Sequence, residues 1–345
     1  MSGYRAALES TAVATRPDRG RVRVSGKDPV AMLQGILTNR VPEAPLPTGP
    51  EVTGGMARYA AVLTPKGRMV TDVRVVTGPR GEEEGLLLEV PGSGLPGLLA
   101  HLTMYIPPRF AKVADVTELT GSLTVAGPGA AALLSREGLG LRVETADLEV
   151  LAEGEWRWVD GGGAGVLAIR SGDLATPAFD VVTDRTTGVT LAARLLEAGA
   201  TELTLSELDV LRVETGRPLW GVDMDQETLL PETGLDSRAI DHTKGCYTGQ
   251  EVIVRIRDRG HVNRRLRGLR LGGTPLPERG AELWVEGRDH SVGAVTSAVL
   301  SPRAGGGIAL GYLRREVEVP GEVRLGGPAG PRVQAVDPEG EWWGS

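Results

Sequence analysis

The pattern of apolar residues changes near residue 264, and this change limits the folds that the chain can adopt. Before it, short runs with the two-residue period of β-strands alternate with stretches of helical period. After it, strand-like runs are separated by Gly and Pro turns, without any helical period. These runs are residues 267–271, 282–285, 291–299, 308–313, 322–325 and 332–335. The pattern predicts an α/β body followed by a small all-β domain, either a barrel or a sandwich.

Three capping patterns predict where helices start in the first part. Asp28, followed directly by proline, is typical of an N-cap residue. Ser206 with Asp209, and Thr248 with Glu251, have the spacing of a capping box. We therefore expect helices to begin at these three places.

Two other segments have distinctive compositions. Four prolines between residues 42 and 50 predict a loop that leads towards another domain. Near the end of the chain, Trp342 and Trp343 are adjacent. They indicate either an anchor on the all-β domain or a disordered end, and we expect an anchor because aromatic pairs seldom stay exposed.

Composition excludes several classes of protein. The 345 residues suffice for two or three domains, and an apolar fraction of 41% is ordinary for a soluble globular protein. A net charge of -7 argues against a general polyanion binder, although arginines at 255–270 allow a local basic patch. No apolar run approaches transmembrane length, and the N-terminus lacks the apolar core of a secretory signal. With a single cysteine, these features predict a cytoplasmic protein.

The only cysteine, Cys246, lies in the sequence KGCYTGQE at residues 244–251. A helix that starts at Thr248 would place the thiol near its positive end, and Lys244 adds a cation nearby. Both features favour the reactive thiolate. A buried, inert cysteine is an equally good interpretation. The β-branched run 252–254 also permits a strand instead of a helix, so both questions stay open.

These eight residues resemble the signature of the YgfZ family of folate-binding proteins, which is related to the aminomethyltransferase (T-protein) of the glycine cleavage system. Other parts match in the same order. Residues 211–223 and 230–235 resemble the R-x-E-x-G-x-P and P-x-E patterns of aminomethyltransferases. Residues 21–35 resemble the family's N-terminal unit, and residues 59–72, which include Asp72, resemble its first hairpin. The similarity spans about residues 20 to 315.

The resemblance implies an α+β fold of the aminomethyltransferase type. Two interleaved α/β folate-binding domains would surround a central folate channel, followed by a C-terminal β-barrel. The first domain would combine residues 1–50 and 118–200, and the second residues 51–117 and 201–262. The barrel would comprise residues 263–345. The family also suggests a monomer.

Glu214 has two interpretations. From the residues alone, it lies near a helix C-terminus, where the helix dipole disfavours a carboxylate. An exposed glutamate paired with Arg217 or Arg212 is then the better explanation. The resemblance instead implies that Glu214 binds the pterin ring of tetrahydrofolate. This role suits its chemistry, because a carboxylate accepts two parallel N–H bonds.

The resemblance also implies roles for the other site residues. Cys246 would be the working thiol and Lys244 the cation that activates it, while two glycines would shape the loop. Trp220 would stack on the pterin. The implied ligand-binding residues are Glu214, Arg212, Trp220, Asp223, Gly245, Tyr247, Gly249, Gln250 and Glu251. The four histidines lack metal-ligand spacing, so we predict no metal site.

Three departures from aminomethyltransferases affect the functional prediction. Those enzymes carry an essential aspartate after the strand predicted here at 86–90, whereas residues 90–96 read VPGSGLP. They also have an arginine in place of Gln250 and lack the cysteine motif. The resemblance therefore favours a tetrahydrofolate-binding accessory protein that supports iron–sulfur cluster assembly or repair, and thereby tRNA modification. The alternative is a folate-dependent aminomethyltransferase.

Several functional questions stay open at this stage. The sequence leaves undecided whether the protein turns over a substrate. Its partners would be folate and iron–sulfur assembly proteins or their clients. The arginines at 255–270 could serve a solvated face, the polyglutamate tail of folate or an RNA surface.

Overall fold

The computed structural model describes residues 1–79, 81, 84–136, 139, 141–160 and 165–344. The chain divides into two compact units. The body unit consists of Met1–Pro65, Val70–Leu208 and Arg238–Thr248. The barrel unit consists of Lys66–Met69, Asp209–Ser237 and Gly249–Ser345. The three-part division inferred from the sequence stays a prediction.

Strands and helices alternate up to residue 259, after which only strands follow among the described residues. The strands are β1 (Ala12–Thr15), β2 (Arg19–Ser25), β3 (Leu46–Gly49), β4 (Val52–Met56), β5 (Arg58–Leu63), β6 (Met69–Thr77), β7 (Leu86–Pro91), β8 (Lys112–Asp115), β9 (Thr120–Ala126), β10 (Glu155–Val159), β11 (Val166–Ser171), β12 (Ala178–Asp184), β13 (Thr201–Glu202), β14 (Arg264–Gly272), β15 (Glu282–Trp284), β16 (Gly293–Ser301), β17 (Gly306–Arg314), β18 (Gly321–Leu325) and β19 (Arg332–Val336). The helices are α1 (Ser2–Glu9), α2 (Pro29–Gln34), α3 (Leu95–Tyr105), α4 (Ala130–Leu134), α5 (Thr145–Glu149), α6 (Arg185–Glu197), α7 (Leu205–Glu214), α8 (Asp236–Ala239) and α9 (Gln250–Arg259).

Two sheets form the body unit. The eight-stranded sheet has the order β13-β1-β9-β12-β11-β10-β4-β3, and the five-stranded sheet has the order β5-β6-β7-β2-β8. Phe179 and Leu134 are buried in the core of the larger sheet, and Leu33 and Leu98 are buried in the core of the smaller one. A third cluster around Trp156 contains residues of both sheets and packs them together.

A buried ionic network also joins the two sheets. Arg74 on β6 pairs with Glu89 on β7, and its second guanidinium nitrogen lies 2.6 Å from Asp180 on β12. Thr124 on β9 donates a hydrogen bond to Asp180 at 2.7 Å. All four side chains are buried, so each charge depends on its partners.

The barrel unit contains a closed barrel with the strand order β14-β17-β16-β15-β18-β19. Each of the six strand-like runs forms one strand, and the predicted α+β fold with a C-terminal barrel is confirmed. Trp342 is 4% exposed and packs over Gly268, where an added Cβ would lie 2.5 Å from the indole. The predicted anchoring by the tryptophan pair is therefore confirmed for Trp342.

The predicted helix starts have mixed outcomes. Asp28 caps α2 by accepting a hydrogen bond from the Ala31 amide at 3.2 Å. The prediction for Ser206 with Asp209 is wrong, because α7 begins at Leu205. The capping box is formed by Thr204 and Glu207: the Thr204 amide donates to Glu207 Oε2, and the Glu207 amide donates to Thr204 Oγ1.

The helix after the cysteine motif begins later than predicted. The residue range 252–254 is helical, so the strand alternative is wrong. The start at Thr248 is also wrong, because α9 begins at Gln250 after a left-handed Gly249 with φ of 81°. Thr248 instead belongs to the body unit, where its amide donates a hydrogen bond to the Gly35 carbonyl at 3.0 Å.

The proline-rich segment does not form only a loop. Its residues include β3, which pairs with β4 at the edge of the larger sheet. Pro47 fits there because proline is tolerated on an edge strand. The sequence also predicts a hairpin of residues 156–159 and 166–170 around the glycines at 161–163. Strands β10 and β11 form this antiparallel pair, and those glycines lie outside the described residues.

Candidate functional site

Glu214 is the last residue of α7, and its side chain is completely buried within the barrel unit. Ser301 Oγ donates a hydrogen bond to its Oε1 at 2.6 Å, and Arg303 Nη1 lies 3.7 Å from its Oε2. A hydroxyl donor and a cation offset the burial and the unfavourable helix dipole. The interpretation of Glu214 as an exposed residue is therefore wrong.

Arg212 and Asp223 form a separate buried network in the same unit. Asp223 Oδ2 accepts hydrogen bonds from Arg212 Nη1 at 2.7 Å and from the Leu219 amide at 2.9 Å. Ser297 on β16 donates to Asp223 Oδ1 at 2.7 Å and accepts from Arg212 Nη2 at 2.9 Å. These contacts fix the segment after α7 to the barrel. Ligand binding by either residue stays a prediction.

Trp220 lies within the segment that this network fixes. Its side chain is 6% exposed, and its backbone forms a bridge with Met224. This burial leaves little ring surface for contact with another molecule. Stacking of Trp220 on a pterin stays a prediction.

Lys244 binds the end of helix α2 within the body unit. Its Nζ donates hydrogen bonds to the carbonyl oxygens of Gln34 at 2.9 Å, Leu37 at 2.6 Å and Asn39 at 2.8 Å. Burial lowers the pKa of Lys244 to about 8, while the negative charge of Asp241 acts in the opposite direction. All three N–H donors are used, so Lys244 anchors the loop that begins with it.

The anchored loop exposes its thiol. Cys246 is exposed, so the interpretation as a buried residue is wrong, while the reactivity of its thiol stays a prediction. Tyr247, next in the chain, is 7% exposed, and its ring centre lies 5.4 Å from Lys244 Nζ. Gly245 is exposed, with open space where a Cβ would point. The chain therefore holds Cys246 at the surface between two fixed side chains.

Asp241 stabilises the turn that precedes this loop. Its Oδ1 accepts hydrogen bonds from the Thr243 hydroxyl and amide, both at 2.7 Å, and Arg40 pairs with its other oxygen. These hydrogen bonds, from the hydroxyl first, lower the pKa of Asp241 to about 2. The carboxylate therefore helps to orient the chain at Lys244.

Three predicted site residues lie at the start of α9 in the barrel unit. Gly249 supplies the left-handed turn, and Gln250 is the first helical residue. Glu251 is exposed and pairs with Arg255 one turn later at 2.8 Å. Exposed pairs of this kind contribute little to stability. A role of these residues in ligand binding stays a prediction.

A further cluster in the body unit was not identified from the sequence as a site. Tyr59 donates a hydrogen bond to Asp72 Oδ2 at 2.9 Å, and the Arg238 guanidinium lies 4.6 Å from the Tyr59 ring centre. Asp72 Oδ1 has no hydrogen-bond partner among the described residues. Burial raises the pKa of Asp72 and also that of Tyr59. The sequence signal for this cluster was that Tyr59 and Asp72 both lie in residues 59–72, which resemble the first hairpin of aminomethyltransferases.

The segment after β7 contains no carboxylate. A short 3-10 turn at Gly92–Gly94 leads into α3 at Leu95, and residues 90–96 are all described. The preceding Glu89 is buried against Arg74. The structure therefore offers no free acid at the place where the resemblance implies an aspartate in aminomethyltransferases.

The described part of the chain contains no group of three or more metal-ligating side chains. A cavity of about 330 Å³ in the body unit is lined by Arg23, Val76, Leu87, Trp158 and Asp184, among others, and contains none of the predicted site residues.

None of the described helices has the length and apolar composition needed to cross a membrane.

Comparison with known proteins shows the type of fold and the family of this chain. The α/β body and closed barrel define the aminomethyltransferase type of fold, with a TM-score of 0.78 to aminomethyltransferase T of the glycine cleavage system from Bartonella henselae. That match covers 97% of this chain and 87% of the other at 19% identity. The profile described as the GCVT N-terminal domain matches residues 4–244, and that of the glycine cleavage T-protein C-terminal barrel domain matches residues 264–336. The chain belongs to the GCVT family.

Named relatives agree with this assignment. An aminomethyltransferase from Rubrobacter xylanophilus is 32% identical over 87% of this chain and 75% of its own length. One from Nostoc sp. is 27% identical over 92% of this chain and 82% of its own length. These relatives share nearly the whole chain, including both units.

Proposed function

We propose that the chain binds tetrahydrofolate, or one of its one-carbon derivatives, with Glu214 as the pterin anchor. The observation that carries this proposal is the buried Glu214 carboxylate between Ser301 and Arg303. The aminopyrimidine edge of a pterin presents two parallel N–H groups, which a carboxylate binds as a bidentate acceptor. Membership of the GCVT family supports the same ligand.

The first candidate activity is folate-dependent aminomethyl transfer. The named relatives are aminomethyltransferases, and they support this activity more directly than the cysteine motif supports its rival. In this reaction, the protein would bind tetrahydrofolate through Glu214 and orient it towards the aminomethyl group. Because residues 90–96 contain no carboxylate, another residue would have to transfer the proton in this reaction.

The second candidate is an accessory protein of the YgfZ type. The exposed Cys246, held in place by the buried Lys244, is the specific observation that favours it. Cys246 would act as the working thiol in iron–sulfur cluster assembly or repair. The protein would thereby support the iron–sulfur enzymes that modify tRNA. Its partners would be iron–sulfur assembly proteins or clients, with folate as a bound cofactor.

One pair of assays tests the two activities. Wild type and Cys246→Ser are supplied with tetrahydrofolate and an aminomethyl donor, and each is also introduced into cells that lack the gene. Transfer by both proteins supports the transferase and contradicts a role for the thiol in that reaction. No transfer, with iron–sulfur enzyme activity restored by wild type but not by Cys246→Ser, supports the accessory protein. The folate proposal itself fails if folded wild type does not bind tetrahydrofolate.

A further inference from the structure

The chain beyond β19 is fixed on the barrel. We call residues 337–344 the C-terminal segment; it follows the residues matched by the barrel-domain profile. The Trp342 indole fills the space over Gly268, and Arg270 Nε donates a hydrogen bond to the Trp342 carbonyl at 2.6 Å. Burial of an indole fixes a segment strongly, because a tryptophan removes a large apolar surface from water. The residues beside Trp342 therefore have defined positions.

Two of those neighbours hold Arg303. Its Nη2 donates a hydrogen bond to Glu341 Oε1 at 3.0 Å, and its guanidinium lies 4.5 Å from the Trp343 ring centre. These two contacts restrict the rotamers of the Arg303 side chain and therefore the position of its guanidinium group. The Arg303 side chain is 24% exposed, so without these contacts it could turn towards solvent.

The other side of Arg303 faces the carboxylate of Glu214. Arg303 Nη1 lies 3.7 Å from Glu214 Oε2, while Ser301 occupies Oε1. Ser301 is itself held by the Ala304 amide, which donates to its hydroxyl at 3.0 Å. The turn after β16 thus places a hydroxyl and a cation on a single buried carboxylate. Only the cation depends on the C-terminal segment.

We propose that the C-terminal segment positions Arg303, and through Arg303 the carboxylate of Glu214, for ligand binding. This inference rests on the proposed function, because it takes Glu214 as the pterin anchor. Arg303 is a positioning residue: it fixes the orientation of the carboxylate before the ligand arrives. Preorganisation of this kind increases affinity because the ligand does not have to order the group itself.

A double-mutant cycle tests this coupling. Tetrahydrofolate is titrated into wild type, into Arg303→Ala, into the pair Glu341→Gln with Trp343→Ala, and into the combination of all three changes. We expect Arg303→Ala and the segment pair each to weaken binding roughly tenfold, the effect of losing one interaction with a charged group. The combination should bind no more weakly than Arg303→Ala, since both changes remove the same contact.

Two controls separate positioning from general damage. Glu339→Gln changes an exposed carboxylate of the same segment that makes no side-chain hydrogen bond or ion pair among the described residues, and it should bind like wild type. Arg303→Lys keeps the cation and should recover part of the affinity. Unfolding in urea checks that each variant is folded before titration.

Each other outcome overturns the inference. Losses that multiply in the combined variant would show that the segment acts independently of Arg303. Unchanged affinity in the segment pair, with weakened binding by Glu214→Gln, would overturn the positioning role and leave the folate proposal intact. Failure of folded wild type to bind tetrahydrofolate would overturn both.

Discussion

The ammonium group of Lys244 contacts three carbonyl oxygens at the end of α2. Replacing it with methionine keeps the apolar stem but leaves three acceptors without their donor. We expect Lys244→Met to lower the free energy of unfolding by roughly 2–4 kcal/mol, the cost of leaving several buried acceptors unsatisfied. Urea unfolding measures the change. Lys27→Met, at an exposed lysine of the same unit, should stay within about 0.5 kcal/mol, and an equally small effect at Lys244 would contradict the anchoring role.

Asp241 makes the turn before the cysteine sensitive to acid. Hydrogen bonds from Thr243 lower its pKa to about 2 in the folded protein, below that of an unfolded aspartate. Its contribution to stability is therefore fully present above the unfolded pKa of about 4 and is lost as the pH falls towards the folded value. Asp241→Asn should remove this part of the pH dependence. Urea unfolding of both proteins at pH 7 and pH 3 measures it, and parallel losses on acidification would contradict the assignment.

The sequence located Glu214 but not its surroundings. The resemblance of the surrounding arginine, glycine and proline pattern to aminomethyltransferases implied a pterin anchor, whereas the residues alone favoured an exposed glutamate. Its burial was not predictable, because Ser301 lies 87 residues further along the chain. Tyr59 and Asp72 are only 13 residues apart in the predicted hairpin, but their hydrogen bond depends on the pairing of β5 with β6, which the sequence does not specify residue by residue.

Helix starts show where local patterns are ambiguous. Thr204 with Glu207 and Ser206 with Asp209 have the same capping-box spacing. The first pair caps α7, and Glu207 is buried, which no local pattern reports. The N-cap role of Asp28 was predictable because the following proline favours the first position of a helix over later ones.

The two glycines of the cysteine motif differ in what they require. Gly249 has a φ of 81°, a conformation in which a Cβ is strained, whereas Gly245 has open space around the Cβ position. We expect Gly249→Ala to destabilise the protein by about 1–2 kcal/mol. Gly245→Ala should change the stability by no more than about 0.5 kcal/mol. Urea unfolding of the pair measures the difference, and equal effects would show that α9 does not need the left-handed turn.

The sheets of the body unit depend on charges as well as on apolar packing. Arg74 joins Glu89 to Asp180, which belong to different sheets. Arg74→Met should lower the free energy of unfolding by roughly 3–5 kcal/mol, because two buried carboxylates lose their cation. Thermal and urea unfolding measure this loss. Arg185→Met, which breaks an exposed pair with Glu118, should cost less than about 1 kcal/mol; similar losses for both variants would contradict the role of burial.

The overall architecture was largely predictable from sequence. Six alternating strands with Gly and Pro turns define the barrel without any long-range information. The hairpin of β3 and β4 was not predicted, because a proline-rich sequence is typical of a loop. Pro47 is tolerated in β3 because this strand lies at the edge of the sheet. The ionic network was also missed, since Arg74 and Asp180 are 106 residues apart.

Ligand fragments provide the most direct test of Glu214 as a pterin anchor. Tetrahydrofolate, a tetrahydropterin and p-aminobenzoylglutamate are titrated by calorimetry into wild type and Glu214→Gln. We predict that the variant loses roughly 1.5–3 kcal/mol of binding free energy for both pterin-containing ligands, the value of a hydrogen bond to a charged group. Its affinity for p-aminobenzoylglutamate should not change. Equal affinities of the two proteins for tetrahydrofolate, or a loss confined to p-aminobenzoylglutamate, would contradict the assignment of Glu214.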